Sequence, residues 1–416
     1  MWFNRKILTR TVVLVSFVSL FTDIASEMLY PVMPVYLRSI GFSVLLIGIL
    51  EGVTEATAGL SKGYFGQLSD VMQKRVPFVR AGYIMAAVSK PLMAIFINPV
   101  WIFFVRTLDR FGKGVRTSAR DAMLSDETTP EHKGKVFGFH RSMDTVGAAI
   151  GPVLALIFLW RYPGQYRWMF FLAFFPGMFA IALTFLLRDK KATRSVDNDK
   201  QKNPDHPVSR SGHRVGPPTS PGFFSYFRYW SKATPGYRYL VAGLLAFTLF
   251  NSSDAFLLLA LKERHLSDTM MIGVYIFYNL VYALSSYPIG ALADKIGLKT
   301  MLIAGLVMFA IVYTCIGFIT SLLFAGILFF IYGLYAACTE GISKALISNM
   351  ASRPETATAI GFFNSAASML ALLSSTLAGV LWYTIGSKGM FIVSGAGVFI
   401  VACYLVFVFR LKGTPP

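Results

Sequence analysis

The sequence predicts an all-α integral membrane protein with twelve transmembrane helices in two six-helix pseudo-symmetric halves. Three observations carry that expectation. Among 416 residues 55% are hydrophobic and 14% charged, whereas a soluble domain has roughly 45–50% apolar and about 25% charged residues. Apolar runs recur at the length of about 20 residues that a helix needs to cross a bilayer. The first six runs also place glycines, acids and basic residues much as the last six do. The formal charge of +18 would suit a nucleic-acid partner only if the basic residues lay on a polar surface. Here they punctuate apolar runs, so membrane lipids are expected neighbours and nucleic acid is not.

Hydropathy places the spans near 11–37, 43–68, 77–97, 100–123, 135–160 and 166–187, then near 238–261, 268–293, 299–319, 321–348, 355–383 and 388–409. The first follows Arg5, Lys6 and Arg10 as a signal peptide would, but it carries Asp23 and Glu27 and lacks a small-residue cleavage site, so it reads as a retained span. One long polar stretch, 189–237, divides a half at 1–188 from a half at 238–416. Its Asn203-Pro204-Asp205-His206-Pro207 and Pro217-Pro218-Thr219-Ser220-Pro221 cannot bury a core and predict a disordered linker. Its end, Phe223 to Trp230, mixes aromatic and basic residues as an interfacial helix does. Cys315, Cys338 and Cys403 are an odd set inside apolar runs, so neither a disulfide nor a metal cluster is expected.

Orientation follows from Lys and Arg. From Arg188 to Arg238 eleven of them face four Asp, and the same side holds Arg10, Lys74, Arg75, Lys295, Lys299 and Arg410, while the turns near 98–99 and 320 carry no charge. The positive-inside rule then puts both termini and the linker in the cytoplasm, in a bacterial inner membrane.

The halves echo each other. Gly66-Gln67-Leu68-Ser69-Asp70 with Lys74-Arg75 follows the second span, and Gly290-Ala291-Leu292-Ala293-Asp294 with Gly297 and Lys299 follows the eighth. Gly138-Phe139 opens the fifth span and Gly361-Phe362 the eleventh. Lys113-Gly114-Val115 in the fourth matches Glu340-Gly341-Ile342 in the tenth. Parallel six-span repeats are the architecture of secondary transporters whose site lies at the repeat interface. On these residues the chain resembles the major facilitator superfamily over nearly all its length. The loops at Gly66–Asp70 and Gly290–Asp294 look like that family's signature between spans two and three. Arg110-Phe111-Gly112-Lys113-Gly114 resembles its fourth-span motif, with Lys113 where Gln is common. Gly147-Ala148-Ala149-Ile150-Gly151-Pro152 resembles the fifth-span motif of its drug and solute exporters, without the glycine pair that should follow. The resemblance implies a monomeric, proton-coupled carrier of a small molecule.

Physics gives the same residues work. Gly66 and Gly290 allow close helix approach, and Asp70 or Asp294 either caps a helix or pairs with a cytoplasmic Arg such as Arg75 as a conformational latch, or marks a water-facing turn. Gly151 and Pro152 permit tight packing and a kink. Ionisable groups inside a span cost about 2.5–3.5 kcal/mol each on insertion scales, so each needs a reason. Asp23 and Glu27, and Glu51 and Glu55, are paired one turn apart, and two such carboxylates do not both ionise readily, which suits a proton carrier. Lys90, Arg106, Arg110 and Lys113 offer opposite charges to a polar cavity, with Arg110 the expected partner of Asp23. The second half is barer, with Asp254, and with Glu340 and Lys344 spaced to pair with each other. Arg120, Arg141 and Asp144, with His140, read as a gate; two potential ligands in His140 and Asp144 are too few for a metal.

The expected function is secondary transport of a small organic solute by alternating access. Proton antiport in the export direction comes first, uptake of an organic anion or nutrient second, lipid flipping third. No Gly-x-x-x-x-Gly-Lys-Ser/Thr, Gly-x-Ser-x-Gly or His-Glu-x-x-His motif occurs, so nucleotide-driven pumping and intramembrane hydrolysis are not expected, nor is a cofactor.

Overall fold

The computed structural model describes residues 7–30, 32–189, 221–263, 268–319 and 321–411. Arg5, Lys6 and the part of the linker expected to be disordered lie outside the described residues. Polar residues at the ends of apolar runs start the helices: Thr9, Ser43, Asn98, Thr234 and Ser321 each accept a backbone N–H of the first turn with a side-chain oxygen, the cap such termini require. Pro99 and Pro235 stand at the first helical position after two of these caps, where the missing N–H costs nothing.

The first half comprises α1 (Arg10–Glu27), α2 (Met33–Ser39), α3 (Val44–Val71), α4 (Val76–Ile95), α5 (Pro99–Asp126), α6 (Lys133–Arg161) and α7 (Tyr166–Thr184). After the linker come a short helix α8 (Tyr229–Lys232) and the second half: α9 (Pro235–Phe250), α10 (Asp254–Glu263), α11 (Asp268–Ile296), α12 (Leu298–Ile316), α13 (Leu322–Met350) and α14 (Thr356–Leu411). Gly386, at φ 77°, breaks α14 into two spans. Seven of the described helical stretches are long and apolar enough to cross a membrane by length and composition. The charge-bearing α1, α3 and α5 are outside that set. Counting α1 with α2, α9 with α10, and α14 twice gives twelve spans in two equivalent sets of six. The same neighbours recur in each: α1 on α6 and α9 on α14, α3 on α5 and α11 on α13, α4 on α5 and α12 on α13.

Two spans that hydropathy draws as continuous are broken. Span one stops at Glu27 and resumes at Met33; span seven stops at Phe250 and resumes at Asp254. The polar run Asn251-Ser252-Ser253 explains the second break, because its side chains compete with the helical ladder: Ser252 Oγ lies 3.2 Å from the Tyr313 hydroxyl, and Ser374 donates to the Asn251 carbonyl at 2.9 Å. The two breaks occupy corresponding positions of the two repeats, the arrangement that marks midplane sites in transporters. The turns after α3 and α11 also match in backbone detail, since Gln73 (φ 52°) and Gly297 (φ 99°) each stand three residues past the aspartate of their loop.

The stretch expected to lie as an interfacial helix is a 3₁₀ turn, Ser225–Arg228, running into α8. Its Tyr226 is fully buried against Gly63 of α3 and shares a 2.8 Å hydrogen bond with Ser365 of α14. The halves meet along α3–α14 and α6–α11, with α13 also touching α5 and α6, and α14 also touching α5.

Candidate transport cavity and gate

A polar cavity sits between α1, α4 and α5 in the first half, lined by Asp23, Glu27, Lys90, Asp109, Arg110 and Lys113 among others. The spacing of Arg106, Arg110 and Lys113 turns three cations to one face of α5. Arg106 is spoken for: it holds Glu51 of α3 at 3.0 Å and Asp109 at 3.7 Å. Lys90 holds Asp109 at 3.5 Å and is buried. Among the described residues the side chains of Arg110 and Lys113 make neither a hydrogen bond nor an ion pair, and Arg110 Nε is buried without an acceptor. Lys113 is exposed although it lies midway along α5, so its ammonium faces an open interior space. Glu51 and Glu340 face open space as well, with side chains 40% and 47% exposed. Tyr30, past the end of α1, is 58% exposed.

Two expected pairings are corrected. Asp23 does not meet Arg110. Gly147 of α6 lets α1 come so close that a β-carbon there would lie 2.5 Å from the Leu20 carbonyl and 3.1 Å from the Asp23 Cβ. This contact sets Asp23 against α6, one helical turn from Asp144. Gly151 continues the same groove against Ile24 and Met28, and Pro152 lies within α6 one residue on. Glu340 and Lys344 do not pair with each other either. Arg141 takes Glu340 at 3.4 Å, and Lys344 reaches across to Asp121 of α5 at 2.9 Å. In both cases a neighbouring helix outcompetes the partner that sequence spacing offers.

The contacts between halves cluster on the linker side. Asp70 accepts from the Thr358 amide and hydroxyl, each at 2.6 Å, and from the Ala357 amide at 3.3 Å, while Arg75 grips it at 2.5 Å. An aspartate of the first half thus satisfies the orphan amides at the start of α14. Asp294 does the same in reverse, accepting from the Gly134 and Lys135 amides at the start of α6 at 2.8 and 3.0 Å. Gly66 makes room beside the Ala357 carbonyl, and Gly290 packs on Gly134 so closely that any side chain at either would collide with the other's backbone. Arg141 bridges the halves: it donates to Asp144 at 3.0 Å within α6 and to the Tyr282 hydroxyl of α11. Arg120 stays within the first half, binding Asp121 at 3.0 Å and Ser19 of α1 at 3.0 Å. Ser19 lies 3.3 Å from His140 Nε2.

In the second half the Tyr332 hydroxyl donates to Asp254 at 2.7 Å, directly after the break in span seven. Tyr278 and Tyr335 each pack on the Tyr332 ring in a tilted arrangement, with centroids 5.0 Å apart. Sequence reasoning passed over Asp109 and Lys62. Lys62 donates to Ser368 of α14 at 2.9 Å, a hydrogen bond between the halves. The rule that an intramembrane charge needs a reason applies to both, since each lies inside an apolar run.

A family model described as Major Facilitator Superfamily matches residues 15–278 and 239–416. An MFS-type transporter of Methanocaldococcus jannaschii, MJ1317, whose function is uncharacterised, is 31% identical over 385 residues, covering 91% of this chain and 90% of its own length. Citrate exporter 1 of Aspergillus niger is 25% identical over 185 residues, 44% of this chain and 35% of the exporter. Among solved structures, the human organic anion transporter MFSD10 (TETRAN) superposes with a TM-score of 0.75 at 17% identity, over 95% of this chain and 99% of that one, and shows a common fold. The chain is a multi-pass membrane protein that belongs to the major facilitator superfamily.

Proposed function

We propose that the protein is a secondary transporter that exports a small organic anion in exchange for protons by alternating access. The observation that carries this reading is the pair of cations, Arg110 and Lys113, lining the cavity without a hydrogen bond or ion pair of their own among the described residues. Two cations that no carboxylate grips directly leave room for an anion between them, with Glu55 and Asp109 offsetting only part of their charge. The stretch matching a fungal citrate exporter supports both the anion and the direction. Half-buried carboxylates beside these cations, Asp23 and Glu27 among them, supply the proton. The Asp70 and Asp294 caps, with the Lys344–Asp121 and Arg141–Glu340 bridges, are the closed gate of one access state. With the linker face cytoplasmic, as its Lys and Arg content indicates, the structure is shut toward the cytoplasm.

Binding tests this reading. Labelled citrate and other di- and tricarboxylates are titrated against purified protein and against Arg110→Gln and Lys113→Gln. Losing one charge-assisted contact is worth about 1.5–3 kcal/mol, so each variant should weaken binding roughly ten- to a hundredfold. Equal affinity in wild type and both variants would remove the anion site.

A further inference from the structure

The seam between α3 and α14 holds a side chain that belongs to neither helix. Tyr226, from the 3₁₀ turn Ser225–Arg228 near the end of the linker, is fully buried. Its ring fills the space that a β-carbon at Gly63 would need, and its hydroxyl shares a 2.8 Å hydrogen bond with the buried Ser365 of α14. The helices cross closely here, since a β-carbon at Gly361 would lie 2.7 Å from the Lys62 carbonyl. The other seam, α6 on α11, is built differently. Counting back from Asp70 and Asp294, the residue of α11 that corresponds to Gly63 is Tyr287, and Phe139, after Gly138, corresponds to Phe362, after Gly361. Tyr287 packs edge-on to Phe139 with centroids 5.9 Å apart. One seam thus carries its aromatic filler on the helix; in the other a glycine stands at that position and the linker supplies the ring.

We propose that the end of the linker is a strap: Tyr226 pins α3 to α14 while the linker side is closed and must leave Gly63 for that side to open. Its neighbours show which end is fixed. Phe227 and Trp230 pack on Phe362 of α14 with ring centroids at 6.0 and 5.6 Å. Tyr229 packs on Tyr237, whose hydroxyl donates to the Ala359 carbonyl of α14 at 2.8 Å. The segment also runs through α8 into α9, so it travels with the second half. Its hold on α3 is smaller: the slot at Gly63, Phe223 against Tyr64 at 5.1 Å, and Ser225 Oγ at 2.6 Å from Gln67 Oε1. These contacts end one turn short of Asp70, which caps the start of α14 on the same seam.

Burial makes the contact depend on the access state. While the seam is shut, the phenol ring is out of water and its hydroxyl is satisfied; when α3 and α14 part, the ring loses its slot. The strap therefore holds the closed arrangement by apolar packing, where the Asp70 cap holds it by charge, and neutralising Asp70 leaves the strap in place. The inference rests on the alternating-access reading, in which the linker side opens, but it is read out without substrate or gradient.

Hydrogen–deuterium exchange on the purified full-length protein tests it. The amides of Ala357 and Thr358, held by Asp70, report opening of the linker side. Tyr226→Ala should speed their exchange roughly tenfold or more, the return expected for burying one ring, with no change in the α4–α5 turn at the far end of the bundle. Tyr226→Phe, which keeps the ring and loses only the bond to Ser365, should give a smaller rise. Joining the strap to α3 with a short bis-alkylating reagent across Ser225→Cys and Gln67→Cys, in a background without Cys315, Cys338 and Cys403, should hold exchange at or below the wild-type rate even with Asp70→Asn, which the unjoined pair should not. Unchanged exchange in Tyr226→Ala, a rise of equal size throughout the protein, or a joined pair in which Asp70→Asn still opens overturns the strap. If Tyr226→Ala does not fold, Tyr226→Phe and the joined pair decide. Opening in Asp70→Asn but in no Tyr226 variant removes the strap and leaves alternating access standing. If the strap behaves as expected but no carboxylate is bound or moved, the anion-transport reading fails instead.

Discussion

Asp70 makes more contacts across the bundle than any spacing rule would assign to one aspartate: three donors from the start of α14 and the guanidinium of Arg75. Asp70→Asn keeps an acceptor but removes the charge that makes these bonds strong. At about 1.5–3 kcal/mol for charged hydrogen bonds, the linker-side closed state should lose tenfold or more in population. The buried Ser118, packed beneath Gly66, reports it. In a cysteine-free background, Ser118→Cys should react slowly with a membrane-impermeant thiol reagent from the linker side, and at least tenfold faster once Asp70→Asn is added. No change in rate would take Asp70 out of the closure. A second residue-scale prediction concerns Gln73, which stands in the left-handed region where its repeat counterpart is Gly297. Gln73→Val should lower the melting temperature, since a β-branched residue at positive φ adds about 1–2 kcal/mol of strain. Gln73→Gly exchanges relief of strain for the 2.6 Å hydrogen bond from the Gln73 amide to the Asp70 carbonyl and should leave it nearly unchanged.

Among the elements, α6 and α11 cross where glycine replaces side chain altogether. A β-carbon at Gly138 would lie 2.5 Å from the Ser286 carbonyl, and one at Gly134 2.5 Å from the Gly290 carbonyl. Gly290→Val should therefore disfavour this arrangement by about 1–3 kcal/mol, seen as faster labelling of Ser118→Cys. Gly326→Ala on α13, where nothing lies within 4 Å of the new carbon, should be neutral or slightly stabilising, because alanine suits a helix interior better than glycine by up to about 1 kcal/mol. Equal effects at the two positions would contradict the close crossing. The spans and the repeat were legible because hydropathy and glycine spacing are local properties of the chain. The breaks after Glu27 and Phe250 were not, since an average over twenty residues smooths three polar ones. Pairings were the least legible part. Asp23 was expected to meet Arg110 because the two sit at similar depth, yet which way α1 turns is decided by Gly147 on another helix. Glu340 and Lys344 share a helix face, yet each finds a better partner across the interface between halves.

At the scale of the whole molecule, two copies of one six-span unit lean together on the linker side, each offering an aspartate to a helix start of the other. The copies differ in what they enclose: charges on α1, α3 and α5 in the first, tyrosines around Asp254 in the second. On the proposed reading, that division would place anion and proton together in the first half. Flux into proteoliposomes, loaded with a pH-sensitive dye and challenged with the tightest-binding carboxylate under an imposed proton gradient, tests coupled transport most directly. Wild type should accumulate the anion against its gradient with a matching proton counterflow, collapse with a protonophore, and lose accumulation but retain anion–anion exchange in Asp23→Asn. Accumulation that ignores the proton gradient, or that persists with wild-type pH dependence in Asp23→Asn, would contradict proton-coupled export.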